Sequence, residues 1–164
     1  MRTWIAVLLA VTLAFILSPT APAGATPINV GPIQFEVSFA KTPGAQLTSP
    51  QGQFFQLGLT AENISSQPAQ LDLSSQFLRD DSGRTYAVDL GATSLFDPTG
   101  SSRFTPVPLI NPGNTWRGFL FFDVESGTAP SDYQLVLQSP GGASATVQLV
   151  SCGTESDPCG RVMQ

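Results

Sequence analysis

The segment of residues 109–124, LINPGNTWRGFLFFDV, constrains the fold more than any other part of the chain. It opens with an N-P-G-N turn, because proline fixes φ and the following glycine tolerates a positive φ. The aromatic and branched side chains that follow favour a strand over a helix. In strand geometry one face is apolar throughout, and it consists of Trp116, Gly118, Leu120, Phe122 and Val124. The segment therefore predicts a core strand of a β-sandwich.

Alternating apolar and polar residues recur along most of the chain. Segments 33–40 (IQFEVSFA) and 54–63 (FFQLGLTAEN) alternate with the period of half-buried strands, which places Phe39 on the inward face of the first. Further strands and one hairpin are predicted at residues 71–73, 77–88, 133–138 and 145–150. No helical period follows residue 25, and turn-forming clusters separate the strands. Seven to eight such strands predict an all-β fold, an immunoglobulin-like antiparallel β-sandwich over residues 33–150.

Residues 1–25 have the pattern of a secretory signal peptide. Arg2 is their only charged residue, residues 4–17 are almost entirely apolar, and the final AGA matches the site that signal peptidase cleaves. A retained membrane anchor is the alternative, but an apolar run of about 14 residues is shorter than the roughly 20 that span a bilayer. We therefore expect cleavage, no membrane insertion afterwards, and a short extended leader over residues 26–32. The expected location is extracellular or in the cell envelope.

Both cysteines of the chain, Cys152 and Cys159, lie in the C-terminal tail, residues 151–164. Two close cysteines in an exported protein usually form a disulfide. A metal or redox site is the alternative, but the spacing does not match C-x-x-C and the chain has no histidine to complete a zinc site. The tail is therefore predicted to contain a disulfide between these two cysteines.

Composition argues against several classes of function. The formal net charge is −5 and Lys41 is the only lysine, so the chain is poorly suited to binding nucleic-acid phosphates or anionic lipid. The absence of histidine excludes Ser-His-Asp and Cys-His catalysis, and no G-x-S-x-G motif is present. We therefore expect no enzymatic activity, no cofactor and no nucleic-acid partner.

Acidic residues offer one further chemistry. Asp80, Asp81 and Asp89 could converge around one turn and bind calcium, although the chain has no spaced D-x-D-x-D-G loop. Paired carboxylates for glycoside hydrolysis are a weaker alternative. Asp80 and Asp81 lie in a predicted hairpin turn, where aspartate is common for conformational reasons. The sequence therefore assigns no metal ligand.

Residues 89–107 form the least regular stretch of the predicted domain. Long loops in compact domains are usually functional or mobile. This one carries Leu95, Phe96 and Phe104 among small and polar residues, and Arg103 adds a fixed charge. One hypothesis is that these four residues form a contact surface for a protein partner. The other is that the two phenylalanines plug an open end of the sandwich.

Several motifs, taken in order, resemble a family of bacterial secreted immunoglobulin-like domains. They are a strand that ends in asparagine, an L-x-D-x-x-G-x-x-Y hairpin, a P-G turn and a G-x-L-x-F strand. In this chain the positions after the first strand are Leu78, Asp80, Gly83, Tyr86, Pro112, Gly113, Gly118, Leu120 and Phe122. The family is typified by the small secreted mycobacterial immunoprotective antigens. The resemblance covers residues 33–150 and implies an exported sandwich without an established catalytic residue.

These observations lead to two expectations for function. The first is an exported, non-enzymatic module that contacts a protein partner through its loops. The alternative is a protein that binds a small molecule, or an ion such as calcium, at one end of the sandwich. An exposed apolar patch would favour the first, and a pocket lined by convergent polar groups would favour the second.

Overall fold

The structure is a computed structural model that describes residues 26–43, 47–96 and 104–150, together with the backbone of residues 161–162. The predicted signal peptide, Arg103, Cys152 and Cys159 lie outside the described residues. Within these ranges, no helix is long and apolar enough to cross a membrane.

Short and long strands account for most of the described chain. Numbered in order, they are β1 (Ile28–Val30), β2 (Ile33–Lys41), β3 (Gly52–Asn63), β4 (Ala69–Gln70), β5 (Phe77–Asp80), β6 (Thr85–Ala87), β7 (Leu109–Ile110), β8 (Thr115–Glu125), β9 (Tyr133–Gln138), β10 (Ser144–Gln148) and β11 (Arg161–Val162). The helical elements are one α-helix, α1 (Leu90–Leu95), and the 3-10 turns Leu73–Ser75 and Pro130–Asp132.

Two antiparallel sheets form the layers of the molecule. The first has the strand order β1–β2–β3–β8, and the second has the order β11–β10–β9–β5–β6. The two-residue strands β4 and β7 pair with each other separately. The predicted immunoglobulin-like antiparallel β-sandwich is thereby confirmed.

The main core lies between the two sheets and contains three interlocking aromatic rings. Phe55 of β3 meets the ring of Tyr133 of β9 edge to face, with 5.3 Å between the ring centroids. Tyr86 of β6 meets the ring of Tyr133 edge to face as well, at 5.4 Å. Edge-to-face contacts of this kind add to the free energy gained by burying the rings. These rings therefore join the two sheets near the centre of the sandwich.

The long strand β8 alternates as the sequence predicts, and its buried inward residues are Gly118, Leu120, Phe122 and Val124. Trp116, at the start of this face, is half-buried and packs against the edge of the main core. Its ring lies over Gly118, where an added Cβ would come within 2.5 Å of the indole. The tryptophan therefore closes the end of the core and does not lie at its centre.

A β-bulge in β2 overturns the predicted orientation of Phe39. The register is regular up to Val37, which pairs with Leu59, and it then shifts so that Phe39 pairs with Gly58. An extra residue reverses the faces of all residues that follow it, because side chains alternate with a period of two. Phe39 consequently lies on the outer face of the four-stranded sheet, and Ala40 takes the inward position.

Three further segments differ in detail from what the sequence predicts. The stretch 89–107, predicted to be irregular, contains α1, whose six residues are too few to show a helical period. The predicted strand at residues 71–73 is replaced by β4 and a 3-10 turn that begins at Leu73. The predicted extended leader contains β1, which pairs with β2 through Ile28 and Phe35.

The C-terminal tail returns to the sandwich. Val147 pairs with Val162, and Gln148 pairs with Arg161, so β11 adds an antiparallel strand to the edge of the second sheet. Residues 148 and 161 are therefore neighbours in space although they are far apart in the sequence.

Candidate functional site

The helix α1 lies against the free edge of β8 because hydrogen bonds from its N-cap, Asp89, and from Thr93 hold it there. The Asp89 carboxylate caps the helix by accepting a bond from the Ala92 N–H at 2.8 Å. The Asp89 N–H donates to the carbonyl of Phe121 at 2.8 Å, and the Phe121 N–H donates to the Thr93 hydroxyl at 3.2 Å. The helix is therefore attached to one residue of the strand through both of that residue's backbone groups.

A second apolar cluster lies beneath α1 on the outer face of the four-stranded sheet. Its buried members are Phe54, Ala92 and Phe121. The rings of Phe54 and Phe121 meet edge to face at 6.4 Å, and the ring of Phe96 lies 5.0 Å from that of Phe121. Leu47, Phe96 and Phe119 are partly buried and pack against this cluster. Together with Leu95, the exposed neighbour of Phe96 in the chain, they are called the outer-face patch.

The predicted contact residues separate into two groups. Leu95 is 73% exposed, and Phe96 belongs to the outer-face patch. Phe104 is half-buried and packs against the main core. The two phenylalanines therefore contact different clusters, and Phe96 does not plug an open end of the sandwich.

The bulge places a further aromatic ring, which is buried, beside the patch. The ring of Phe39 lies 5.8 Å from that of Phe119 and covers the backbone of Gly58. The Lys41 ammonium lies 4.9 Å from the centre of the same ring, which is a cation–π contact. Next to the rings of Phe39 and Phe119 is a groove of about 440 Å³. It is lined by Glu36, Ser38, Gly58, Leu59, Thr60, Arg117, Gly118 and Phe119. The outer face is thus apolar at α1 and becomes polar towards Arg117.

A larger cleft, of about 630 Å³, opens at the side of the sandwich where β6 approaches β8. Its charged groups already have partners in the protein. The Arg84 guanidinium donates from Nη2 to Glu125 at 3.2 Å and from Nε to Asp80 at 2.6 Å. Asp123 accepts bonds from the Ser49 hydroxyl and the backbone N–H of residue 51, and Asp89 caps α1. The polar groups of this cleft therefore hold the structure together instead of converging on an empty centre.

Asp80 organises the hairpin between β5 and β6. Its carboxylate accepts from the Ser82 N–H at 2.9 Å, from the Ser82 hydroxyl at 2.7 Å and from the Arg84 N–H at 2.9 Å. The Ser82 hydroxyl, followed by the Arg84 guanidinium, holds the pKa of Asp80 well below its usual range. Burial raises the pKa of Tyr86, which also donates to Asp80, to about 12. The D-x-x-G-x-x-Y pattern is thereby explained as a hydrogen-bonded turn.

The structure does not bring the three aspartates of the calcium hypothesis together. Asp80 is used by the hairpin turn, and Asp89 is used as the cap of α1. Among the residues placed by the structure, no group of three or more acidic, cysteine or histidine side chains is arranged to hold a metal ion.

Sequence reasoning missed two contributors to the outer face, Phe39 and Phe119. Alternation along β8 puts Phe119 on the face opposite Leu120, but nothing in the sequence indicates that α1 covers the neighbouring part of that face. Asp89 in front of a short run of small residues was the available signal for a capped helix. A bulge within an otherwise regular alternation has no comparable signal in the sequence.

Known structures share this fold. A functionally unknown protein from Listeria monocytogenes has a TM-score of 0.51 at 16% identity, over 75% of this chain and 79% of that chain. A putative lipoprotein (ycdA) from Bacillus subtilis has a TM-score of 0.52 at 17% identity, over 75% of this chain but 38% of that one. The present chain therefore spans less than half of that lipoprotein.

The secreted protein MPT63 from Mycobacterium tuberculosis is also similar, with a TM-score of 0.41 at 21% identity, over 68% of this chain and 78% of that chain. No curated protein sequence matches the chain. The family described as "Domain of unknown function (DUF4352)" matches residues 25–147, which is most of the sequence. The family match confirms the predicted resemblance, and the chain belongs to the DUF4352 family.

Proposed function

We propose that this chain is an exported, non-enzymatic interaction module that contacts a protein partner through the outer-face patch. The observation that carries the proposal is the 73% exposure of Leu95, which directly precedes Phe96 in the chain, while Phe96 and Phe119 pack on the same outer cluster. The solvent face of an antiparallel sheet is usually polar. A group of apolar side chains on such a face is typical of a protein contact site.

The lateral cleft supports small-molecule binding less well. A ligand would have to displace the bonds of Arg84 to Asp80 and Glu125, and those of Asp123 to the 49–51 loop. A buried or partly buried polar group that loses its partner costs free energy unless the ligand replaces the bond. The outer-face patch requires no such rearrangement, because its side chains are apolar.

Export is supported by the signal-peptide pattern of residues 1–25 and by similarity to a protein described as a putative lipoprotein. This chain has no cysteine near that segment, so it lacks the residue to which a lipid would be attached. We therefore expect release of the mature domain from the membrane.

The test is a capture experiment with one substitution in the patch and one matched control. Leu95→Asp places a charge at the most exposed residue of the outer-face patch. Leu109→Asp does the same at another exposed leucine, 60% accessible, which lies on β7 and outside the patch. Both variants should unfold at the same urea concentration as the unmodified chain, since neither leucine is buried.

Wild type and Leu109→Asp should capture the same envelope or culture-fluid protein, and Leu95→Asp should lose at least about 90% of it, as expected when a charge enters a contact centre. Equal capture by all three proteins would place the contact elsewhere and overturn the proposal.

A further inference from the structure

β8 is the outer strand of the four-stranded sheet, and α1 covers only part of its free edge. The backbone groups of Phe121 point to this edge. Its N–H donates to Thr93 and its C=O accepts from Asp89, so neither group pairs with β3. Backbone groups point to alternate sides along a strand, so those of Arg117 and Phe119 point to the same edge as those of Phe121. Across the ranges that the structure places, no strand pairs with β8 at these two residues on that side.

The side chains at this open edge are distinctive. Arg117 is exposed and makes no ion pair with any described residue. Phe119, two residues further along, is part of the outer-face patch. Proteins commonly place lysine, proline or a bulge on such edges to prevent unwanted pairing with other strands. Here Arg117 is the only one of the two residues that carries a charge. The edge thus combines free backbone groups, one positive charge and one apolar contact.

We infer that an extended segment of the partner adds to the sheet beside Arg117 and Phe119. This inference rests on the proposed function and specifies its binding mode. The segment's backbone would pair with the N–H and C=O groups of both residues, as in β-strand addition. On the outer face it would place an aspartate or glutamate beside Arg117 and an apolar side chain beside Phe119, because cross-strand neighbours of opposite charge and of shared apolarity are favoured.

A second copy of the chain fits this edge less well. If β8 paired with β8 of another copy across Arg117 and Phe119, the two arginines would lie opposite or diagonal to each other on one face. Like charges at such positions are destabilising. An acidic strand from a different protein removes that repulsion and neutralises Arg117.

The experiment uses a linear dodecapeptide phage library, selected on the immobilised exported chain. Selected peptides should alternate apolar and polar residues and should contain an acidic position. In amide hydrogen exchange followed by NMR, the free protein should exchange Arg117 and Phe119 rapidly, and bound peptide should protect both. Arg117→Glu should weaken binding by at least tenfold.

A pair of substitutions at Phe119 separates backbone pairing from side-chain contact. Phe119→Pro removes the outward N–H, which an edge strand tolerates, whereas Phe119→Ala removes only the ring. Binding should be about tenfold weaker for the proline variant than for the alanine variant, the expected effect of one lost hydrogen bond. The exchange measurement on the unmodified chain decides the question if the proline variant does not fold.

Selected peptides that lose binding to Leu95→Asp but leave both amides unprotected would overturn strand pairing while leaving the proposed function intact. Protection of the two amides that rises with protein concentration, without peptide, would assign the edge to a second copy and overturn the inference. A library that yields no binder sensitive to Leu95→Asp or to Arg117→Glu would overturn both the inference and the proposed function.

Discussion

Asn63 shows how one fully buried side chain holds the end of the sandwich where β3 ends and β8 begins. Its amide donates to the carbonyls of residues 67 and 110 at 2.7 and 2.8 Å, and its oxygen accepts from the N–H and hydroxyl of Ser65 at 2.9 and 2.7 Å. The strand-ending asparagine of the family motif is thereby explained. It joins the loop that follows β3 to β7.

Asn63→Ala should lower the free energy of unfolding by about 2–3 kcal/mol, because two carbonyls and one N–H lose their partner in a buried place. Asn29→Ala is the matched control. Asn29 is exposed and accepts a single bond from Gln34, so its loss should cost less than about 0.5 kcal/mol. Urea unfolding measures both values. Equal costs for the two variants would mean that the Asn63 network contributes nothing.

Asp80 gives the molecule a defined response to acid. Its pKa in the folded state lies below the ordinary value of 3.8, so its contribution to stability is present above that pH and is lost as the pH falls below it. The urea midpoint should therefore decrease below about pH 4, and Asp80→Asn should show a smaller decrease. Asp81→Asn, at the exposed neighbour, is the control and should follow the wild type. Parallel acid profiles for wild type and Asp80→Asn would contradict this account.

At the scale of elements, the bulge in β2 requires a glycine opposite it. A Cβ at Gly58 would lie 2.4 Å from the Ser38 hydroxyl and 2.6 Å from the ring of Phe39. Gly58→Ala should therefore destabilise the domain by about 1–3 kcal/mol, the usual range for an overpacked site. In the double variant Phe39→Ala/Gly58→Ala, part of that cost should disappear. Strict additivity of the two costs in urea unfolding would show that the ring does not occupy this space.

The pairing of β10 with β11 gives the predicted Cys152–Cys159 disulfide a structural role, although both cysteines lie outside the described residues. A Cys152–Cys159 bond would shorten the connection between β10 and β11. It would stabilise the pairing of these strands by on the order of 2 kcal/mol. Alkylation and mass measurement should find no free thiol in the exported protein. Cys152→Ser/Cys159→Ser should lower the urea midpoint. Two alkylated thiols in the folded, non-reduced protein would exclude the disulfide.

At the scale of the whole molecule, the sequence predicted the sheets and their inward faces better than it predicted which residues cover the outer face. Alternation in β3 and β8 was sufficient to assign the inward faces, because a buried face imposes a period of two. The orientation of Phe39 was not predictable, since the bulge depends on long-range pairing with Gly58. The sequence singles out Phe96, but its contact with Phe121 depends on how α1 crosses the edge of β8, which no local pattern shows.

The central claim is that the outer-face patch is a protein contact surface. Site-specific photo-crosslinking in the exporting cells tests it most directly. Benzoyl-phenylalanine is placed at Leu95 in one strain and at Leu109, the other strongly exposed leucine on a described element, in a second strain. We expect a discrete crosslinked protein from position 95 and none from position 109. No adduct at position 95, or the same adduct at both positions, would contradict the claim.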